Sequence, residues 1–318
     1  MAGLFKKDLS QEITCLYIYL NFMRQKTIKQ LLSQATTKLD RLDAEILLAF
    51  VLKKDRIFLF THENDPVTFF SKLKFSSLVK KRLNHVPVAQ ILQKKEFYGI
   101  PFLVNKHTLI PRPETEEMIE IIFKKFKEIH EKKIFFLDVG TGSGCIPIAV
   151  SKTLFNEADA LKKSLQFFAS DISKKALALA EKNSKIQQTP ITFFHGDLLD
   201  PFAKHIKQND ITLESSFLFV TANLPYLTDE QFHSEESIQK EPKSALVADD
   251  SGLAFYKKLL FQIHTFVNSK PCRVWCIMEI NPEQAKPLEI FTSSLFPNAR
   301  IKIHKDLSSN ERFLSLSL

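Results

Sequence analysis

Three of the seven glycines in this 318-residue chain fall at Gly140, Gly142 and Gly144, directly after the apolar run 134–139. A short continuous apolar run reads as a strand buried on both faces, and the residues after the glycines read as a helix. Glycine in such a turn permits positive φ and lets a ligand approach the backbone without meeting a Cβ. The helix start beyond it presents unpaired N–H groups. A strand–turn–helix unit of this kind belongs in a parallel sheet.

The rest of the chain supplies that sheet. Further strands are predicted at 166–170, 191–195, 217–222, 274–280, 299–304 and 313–318, with helices between several of them, notably 173–183 and 252–267. This rhythm implies an α/β fold, a mostly parallel sheet with helices on both faces. Ahead of it, residues 27–84 read as helical. Leu31, Leu32, Ala35 and Leu39, then Leu42, Ile46, Leu47 and Ala49, recur at three- and four-residue steps, and no Gly or Pro intervenes before Pro66. Either Asp40 or Asp43 is placed to cap the second helix, and a further helix is expected over 70–83. Pro87, Gly99 and Pro101 among alternating apolar residues predict a hairpin. The expected organisation is an N-terminal extension over 1–26, a helical domain over 27–84, a linking β-hairpin over 85–110 and the α/β domain over 111–318.

Composition excludes several classes. With 44% hydrophobic and 25% charged residues the chain has the make-up of a soluble globular protein. No apolar run reaches the length of a membrane span. The apolar stretch 13–22 follows Asp8 and Glu12, so it reads as a cytoplasmic helix and not a signal peptide. Four cysteines, Cys15, Cys145, Cys272 and Cys276, are too few and scattered for a disulfide scaffold. Cys272 and Cys276 have no second metal-type pair, so packing in a strand is expected and no metal site. At a helix start the dipole would lower the Cys145 thiol pKa, but a small residue filling a tight turn is the favoured reading.

The net charge of +8 is unevenly placed. Residues 1–108 carry 18 basic against 9 acidic side chains, and the remainder 26 against 27. A basic module beside a near-neutral one fits docking onto an acidic partner, and it fits a solubilising surface equally well.

The glycine loop reads Leu137-Asp138-Val139-Gly140-Thr141-Gly142-Ser143-Gly144. A dinucleotide site wants G-x-G-x-x-G, and here Cys145 occupies the place of its third glycine. The D-x-G-x-G-x-G form resembles the first motif of S-adenosylmethionine methyltransferases. Asp171, ending the next strand, is placed to accept from ribose hydroxyls, or else to cap the helix from Ser173. Asp197 is a weaker candidate for the adenine side. Pro147 falls in the first helical turn, where it removes no hydrogen bond.

After the strand 217–222 comes Asn223-Leu224-Pro225-Tyr226. Ligands sit beyond the carboxyl ends of strands in such a sheet, so this segment is expected to face the glycine loop. An amide or aromatic amine nitrogen is a poor nucleophile because its lone pair is delocalised. Acceptors that grip its N–H groups hold the lone pair toward a methyl sulfonium, and the Asn223 side-chain oxygen and Leu224 carbonyl are of the right type. Pro225 restricts Leu224, and Tyr226 offers a flat face for a planar group.

These residues resemble the release-factor glutamine methyltransferase family (the HemK or PrmC type). The likeness runs over nearly the whole chain from about residue 27. It includes Leu42-Asp43-Ala44-Glu45-Ile46-Leu47-Leu48, Glu96-Phe97-Tyr98-Gly99, Leu109-Ile110-Pro111-Arg112-Pro113-Glu114-Thr115-Glu116, Glu241-Pro242, Gly252-Leu253 and Glu279-Ile280. The resemblance implies a Rossmann-like seven-stranded methyltransferase sheet with a small N-terminal helical domain and a linking β-hairpin. It implies S-adenosyl-L-methionine as cofactor, held by Gly140, Thr141, Gly142, Ser143, Gly144, Asp171, Leu198 and Asn223. Catalytic contacts are implied for Asn223, Leu224, Pro225 and Tyr226, with Arg112 and Glu114 ordering the entrance. The implied reaction is methylation of the glutamine side-chain nitrogen in the Gly-Gly-Gln motif of peptide-chain release factors. The expected partner is a release factor met by the helical domain, with no membrane, direct nucleic-acid binding not favoured, and the enzyme a monomer. At Leu224 the family usually has proline, and Asn-Leu-Pro-Tyr also resembles ribosomal RNA adenine dimethylases. An adenine amino-methyltransferase acting on nucleic acid is therefore the alternative, and a cofactor-binding interaction module without catalysis is the third reading.

Overall fold

The computed structural model describes residues 26–270 and 272–318; the apolar stretch 13–22, Cys15 and the extension 1–26 (apart from Lys26) lie outside them. The chain divides into two units between Leu92 and Gln93.

In the first unit the first four helices each begin where a side chain can satisfy the opening N–H groups. Helix α1 (Ile28–Thr36) opens with a reciprocal box between Thr27 and Gln30. Helix α2 (Arg41–Leu52) is capped by Asp40, not Asp43, which instead pairs with Arg82 at 2.6 Å. Helices α3 (Arg56–Thr61) and α4 (Phe69–Leu83) are capped by Asp55 and Thr68. Leu31, Ala44, Leu47, Leu48, Leu59, Phe75 and Leu78 form their common core. Glu45 is buried on α2 and tolerable there because Arg41 and Arg56 hold its two oxygens at 2.8 and 2.6 Å. Where only a hairpin was expected after residue 85, a short helix α5 (Val88–Leu92) comes first. Pro87 supports that start, since its carbonyl accepts from Ile91 at 3.0 Å.

The second unit starts with an antiparallel pair, β1 (Lys94–Phe97) and β2 (Ile100–Leu103). Tyr98 and Gly99 between them both have positive φ, the two-residue turn that matches strand twist. The main elements follow in order: α6 (Glu116–Lys127), β3 (Lys133–Val139), α7 (Cys145–Ala160), β4 (Ser164–Asp171), α8 (Lys174–Gln187), β5 (Ile191–His195), α9 (Asp200–Gln208), β6 (Ser216–Ala222), α10 (Asp229–Ser234), α11 (Ala254–Ser269), β7 (Arg273–Glu279), α12 (Ala285–Leu295), β8 (Arg300–Lys305) and β9 (Glu311–Ser317). All seven expected sheet strands are present, each within two residues of its expected bounds.

The sheet order is β5-β4-β3-β6-β7-β9-β8, parallel except for β9, which runs against both neighbours. Alternate side chains of β3 face opposite layers. Phe135, Leu137 and Val139 join α9, α11 and α12 in one core, while Ile134 and Phe136 join α6 and α7 in the other. The chain leaves β3 toward β4 and β5, then returns to β6 on its other side. That reversal opens a crevice beyond the strand ends. Val139 is level with Ser170 on one side and Ala222 on the other. Gly140, Asp171 and Asn223 therefore come level at the carboxyl edge of three adjacent strands, Asp171 as the last residue of β4 and the other two one residue beyond β3 and β6.

Candidate active site

The three glycines of the loop do different work. Gly140, Gly142 and Gly144 have φ of 71°, 55° and 79°. A Cβ on Gly140 would stand 2.8 Å from Leu224 Cδ2, so Gly140 is where the Leu224 side chain crosses the loop. A Cβ on Gly142 would meet nothing within 4 Å, because that position faces open space. Gly144 lets α7 approach α8, with Ala180 Cβ at 3.1 Å from the same hypothetical atom. The Gly140 and Thr141 amides donate to the Ser170 carbonyl at 2.9 and 3.0 Å. Gly142 N–H donates to Asp171 Oδ2 at 2.9 Å, and Ser173 N–H to Asp171 Oδ1 at 2.8 Å. Ser173 itself caps α8 through its hydroxyl, so Asp171 ties two loops together and is not the helix cap. Burial raises the Asp171 pKa above the usual carboxylate value, against the pull of those two amides.

These loops enclose a cavity of about 270 Å³. Gly140, Thr141, Gly142, Ser143, Asp171, Asp197, Leu198, Asn223, Leu224 and Pro225 line it, together with Thr108, Arg112 and Thr115. Gly144 and Tyr226 do not. Among the described residues, six buried polar side-chain atoms have no hydrogen-bond partner, and four of them border this space: Thr108 Oγ1, Thr141 Oγ1, Ser143 Oγ and Asn223 Oδ1. Unpartnered buried polar atoms are costly, so such a concentration marks a place built for a polar ligand. A wider groove of about 560 Å³ between α9 and α11 contains none of them. Leu198 lies at the cavity wall with φ of 51°, its carbonyl accepting from Ser170 Oγ at 2.6 Å. Asp197 beside it is ion-paired with Lys258.

Asn223 is fixed by residues that sequence reasoning gave no role. Thr221 pairs with Ile277 and Ala222 with Met278, so Asn223 stands next to Glu279 at the following register and on the same face. Its Nδ2 donates to Glu279 Oε2 at 2.9 Å and to Thr115 Oγ1 at 3.2 Å. Thr115 in turn donates to Glu279 Oε2 at 2.6 Å. Two acceptors on Nδ2 settle which end of the amide is which, and they leave Oδ1 at the cavity. Burial pushes Glu279 up to about 7.

Tyr256, fully buried on α11, places its hydroxyl 3.1 Å from the Leu224 carbonyl and 2.5 Å from the Glu279 carbonyl. One hydroxyl carries one proton, so Leu224 O keeps acceptor capacity. Tyr226 is half-buried against the core; Gln284 Nε2 holds its carbonyl at 2.8 Å, and Gly252 passes so close that a Cβ there would lie 2.0 Å from that oxygen.

The entrance segment is anchored by a second buried carboxylate. Glu241 accepts from Ile110 N–H at 2.8 Å and from Arg112 at 2.7 Å, while Glu114 is exposed in the middle of the short turn Pro113–Thr115. Asn183 on α8 clamps both ends of another joint. It exchanges two bonds with the Leu103 backbone and donates to the Ser143 carbonyl at 2.9 Å.

Residues 25–92 match the family model described as PrmC N-terminal domain. A release factor glutamine methyltransferase of Flavobacterium psychrophilum is 34% identical over 251 residues, covering 77% of this chain and 80% of that protein. The Bacillus subtilis protein of the same name is 33% identical over 273 residues, 85% and 88% of the two chains. The chain belongs to the release factor glutamine methyltransferase family. Its fold is shared more widely: the hMettl16 catalytic domain in complex with MAT2A 3'UTR hairpin 6 aligns at a TM-score of 0.51 with 14% identity, covering 85% of this chain and 91% of that one.

For Cys145 the lowered thiol pKa, the less favoured of its two readings, is overturned. Cys145 does begin a helix, but burial outweighs the dipole and pushes its thiol up to about 12. Cys276 packs inside β7, and Cys272 stands just before that strand. Among the residues sequence reasoning left without a role, Thr115 lies inside the Leu109–Glu116 signature and Glu279 ends an apolar strand. A lone acid closing such a strand was the available signal.

Proposed function

We propose that this chain transfers the methyl group of S-adenosylmethionine to the side-chain nitrogen of glutamine in the Gly-Gly-Gln motif of cytoplasmic peptide-chain release factors. The observation that carries the reading is Asn223 Oδ1, a buried acceptor without a partner, set beside the glycine loop in one cavity. The loop suits an adenosine cofactor: Gly142 leaves its Cβ position open, and Thr141 and Ser143 offer unpartnered hydroxyls. Gly140 to Ser143 would hold its amino-acid and ribose parts. Asp171 would accept from the ribose hydroxyls with its remaining lone pairs, and Leu198 and Asp197 would border the adenine.

When bound, the cofactor supplies an electrophilic methyl group on a sulfonium. The chain's own residues orient the nucleophile. Asn223 Oδ1 accepts one N–H of the target amide, and the Leu224 carbonyl is placed to accept the other. With both N–H groups gripped, the nitrogen lone pair turns out of the amide plane's conjugation toward the methyl. Pro225 restricts the Leu224 backbone. No base is needed before transfer, because the methylated amide nitrogen is acidic and loses its proton afterwards. The helical unit, with its basic surface, docks the release factor. Among the described residues no helix is long and apolar enough to cross a membrane.

The test is transfer of labelled methyl from S-adenosylmethionine to recombinant release factor, with ribosomal RNA in a parallel reaction. Label on the release factor glutamine is expected. Label confined to the RNA sinks the assignment.

A further inference from the structure

Both groups assigned to grip the target nitrogen are tied to one residue that touches neither cofactor nor substrate. The Glu279 carboxylate holds the nitrogen of Asn223, and the Glu279 carbonyl shares the Tyr256 hydroxyl with the carbonyl of Leu224. Glu279 is 1% exposed and does not line the cavity. A buried carboxylate at the end of a strand is expensive, and apolar residues would fill the place more stably. Its retention needs a reason, and the geometry offers one.

An asparagine amide can present either its oxygen or its NH₂ to a ligand, and the two orientations have nearly the same shape. Only the oxygen can accept from a glutamine N–H. We propose that Glu279 is a positioning residue for methyl transfer: with Thr115 it selects the orientation of Asn223 that points the acceptor into the cavity. The proposal rests on Asn223 being the acceptor, as read above. Glu279 Oε2 receives Nδ2 at 2.9 Å and the Thr115 hydroxyl at 2.6 Å, and Thr115 Oγ1 receives Nδ2 again at 3.2 Å. Flipping the amide would set Oδ1 against the carboxylate and break both donor bonds. Thr115 reaches the site from the segment that Glu241 pins through Ile110 and Arg112. The Leu109–Glu116 signature thus delivers the second half of the orienting pair.

A positioning role separates from a merely structural one by what each substitution spares. In Glu279→Gln the side-chain oxygen still accepts from Asn223 and Thr115. In Glu279→Leu the acceptor is gone while the volume stays similar. Thr115→Val removes one acceptor and one donor without touching the buried charge. Single-turnover methyl transfer to intact release factor is measured for these full-length variants and for Asn223→Ala, with cofactor affinity measured by calorimetry.

The expected rate loss is ~30- to 100-fold for Glu279→Leu and ~10-fold for Thr115→Val, with cofactor affinity held within ~3-fold and Glu279→Gln restoring the rate to within ~5-fold of wild type. Wild-type rates in Glu279→Leu beside a dead Asn223→Ala overturn the proposal and leave the reading of Asn223 standing. An active Asn223→Ala overturns both. If Glu279→Leu does not fold, Thr115→Val decides, and its having the wild-type rate overturns the proposal. Equal losses in Gln and Leu variants, matched by lost cofactor affinity, also overturn it in favour of a structural role.

Discussion

The carboxamide nitrogen of Asn223 lies 2.9 Å from the buried carboxylate of Glu279, one step past the last paired residues of β6 and β7. That contact turns a strand register into a chemical orientation. The side chain that faces the ligand is held by its far end, so its oxygen meets the cavity without a competing partner.

The contact between Gly140 and Leu224 makes the first prediction. Gly140→Ala adds a Cβ 2.8 Å from Leu224 Cδ2 and strains a backbone at φ of 71°. Cofactor affinity is expected to fall by at least ~30-fold, with both the clash and the strain contributing. Adding Leu224→Ala should recover part of that loss, because it removes the clash and leaves the strain. Calorimetric titration of the single and double variants checks this; no recovery would mean that the side chain does not press on the loop.

Gly252 gives a sharper case. A Cβ there would lie 2.0 Å from the Tyr226 carbonyl and 2.2 Å from Gln284 Nε2, at φ of 81°. Neither backbone nor a doubly bonded amide can yield by that much. Gly252→Ala should destabilise the fold by about 3 kcal/mol or more and lower the transfer rate, since Tyr226 and the preceding residues must shift. Urea denaturation reads the first effect, and a loss under about 1 kcal/mol would contradict the packing described.

Two buried carboxyls set a pH dependence. Burial pushes Asp138 from 3.8 and Glu279 from 4.5 up to about 7. Between those values the unfolded chain has released protons that the folded one retains, so each group lowers stability as pH rises through that window, and the full cost is present above about 7. Asp138→Asn removes its share while keeping an acceptor for Thr221, which donates to Oδ1 at 2.6 Å. The melting temperature of the variant relative to wild type should therefore climb between about pH 5 and pH 8. A constant difference across that range would show that Asp138 titrates normally.

The elements that were legible in the sequence are those whose signal is local. Parallel strands buried on both faces read as apolar runs, which is why Phe217, Leu218, Phe219 and Val220 announced β6. The glycine loop was legible because three glycines stood together in a chain with seven. Asn223 could be singled out by its position after a strand. What held it could not, because Thr115 and Glu279 lie 108 and 56 residues away and meet it only through sheet register and the entrance turn. Helix α5 was missed because it has only five residues and Pro87 reads as a break, although proline is well suited to the start of a helix. Cys145 shows the same limit: the sequence placed it at a helix terminus, while the opposing desolvation came from packing against the sheet.

The central claim is that Asn223 orients the target nitrogen, and single-turnover methyl transfer to a release factor by Asn223→Ala at saturating S-adenosylmethionine tests it most directly. The account expects a rate at least ~100-fold below wild type with cofactor affinity reduced by no more than ~5-fold, because the lost oxygen acts on the nucleophile. Transfer at the wild-type rate would contradict it.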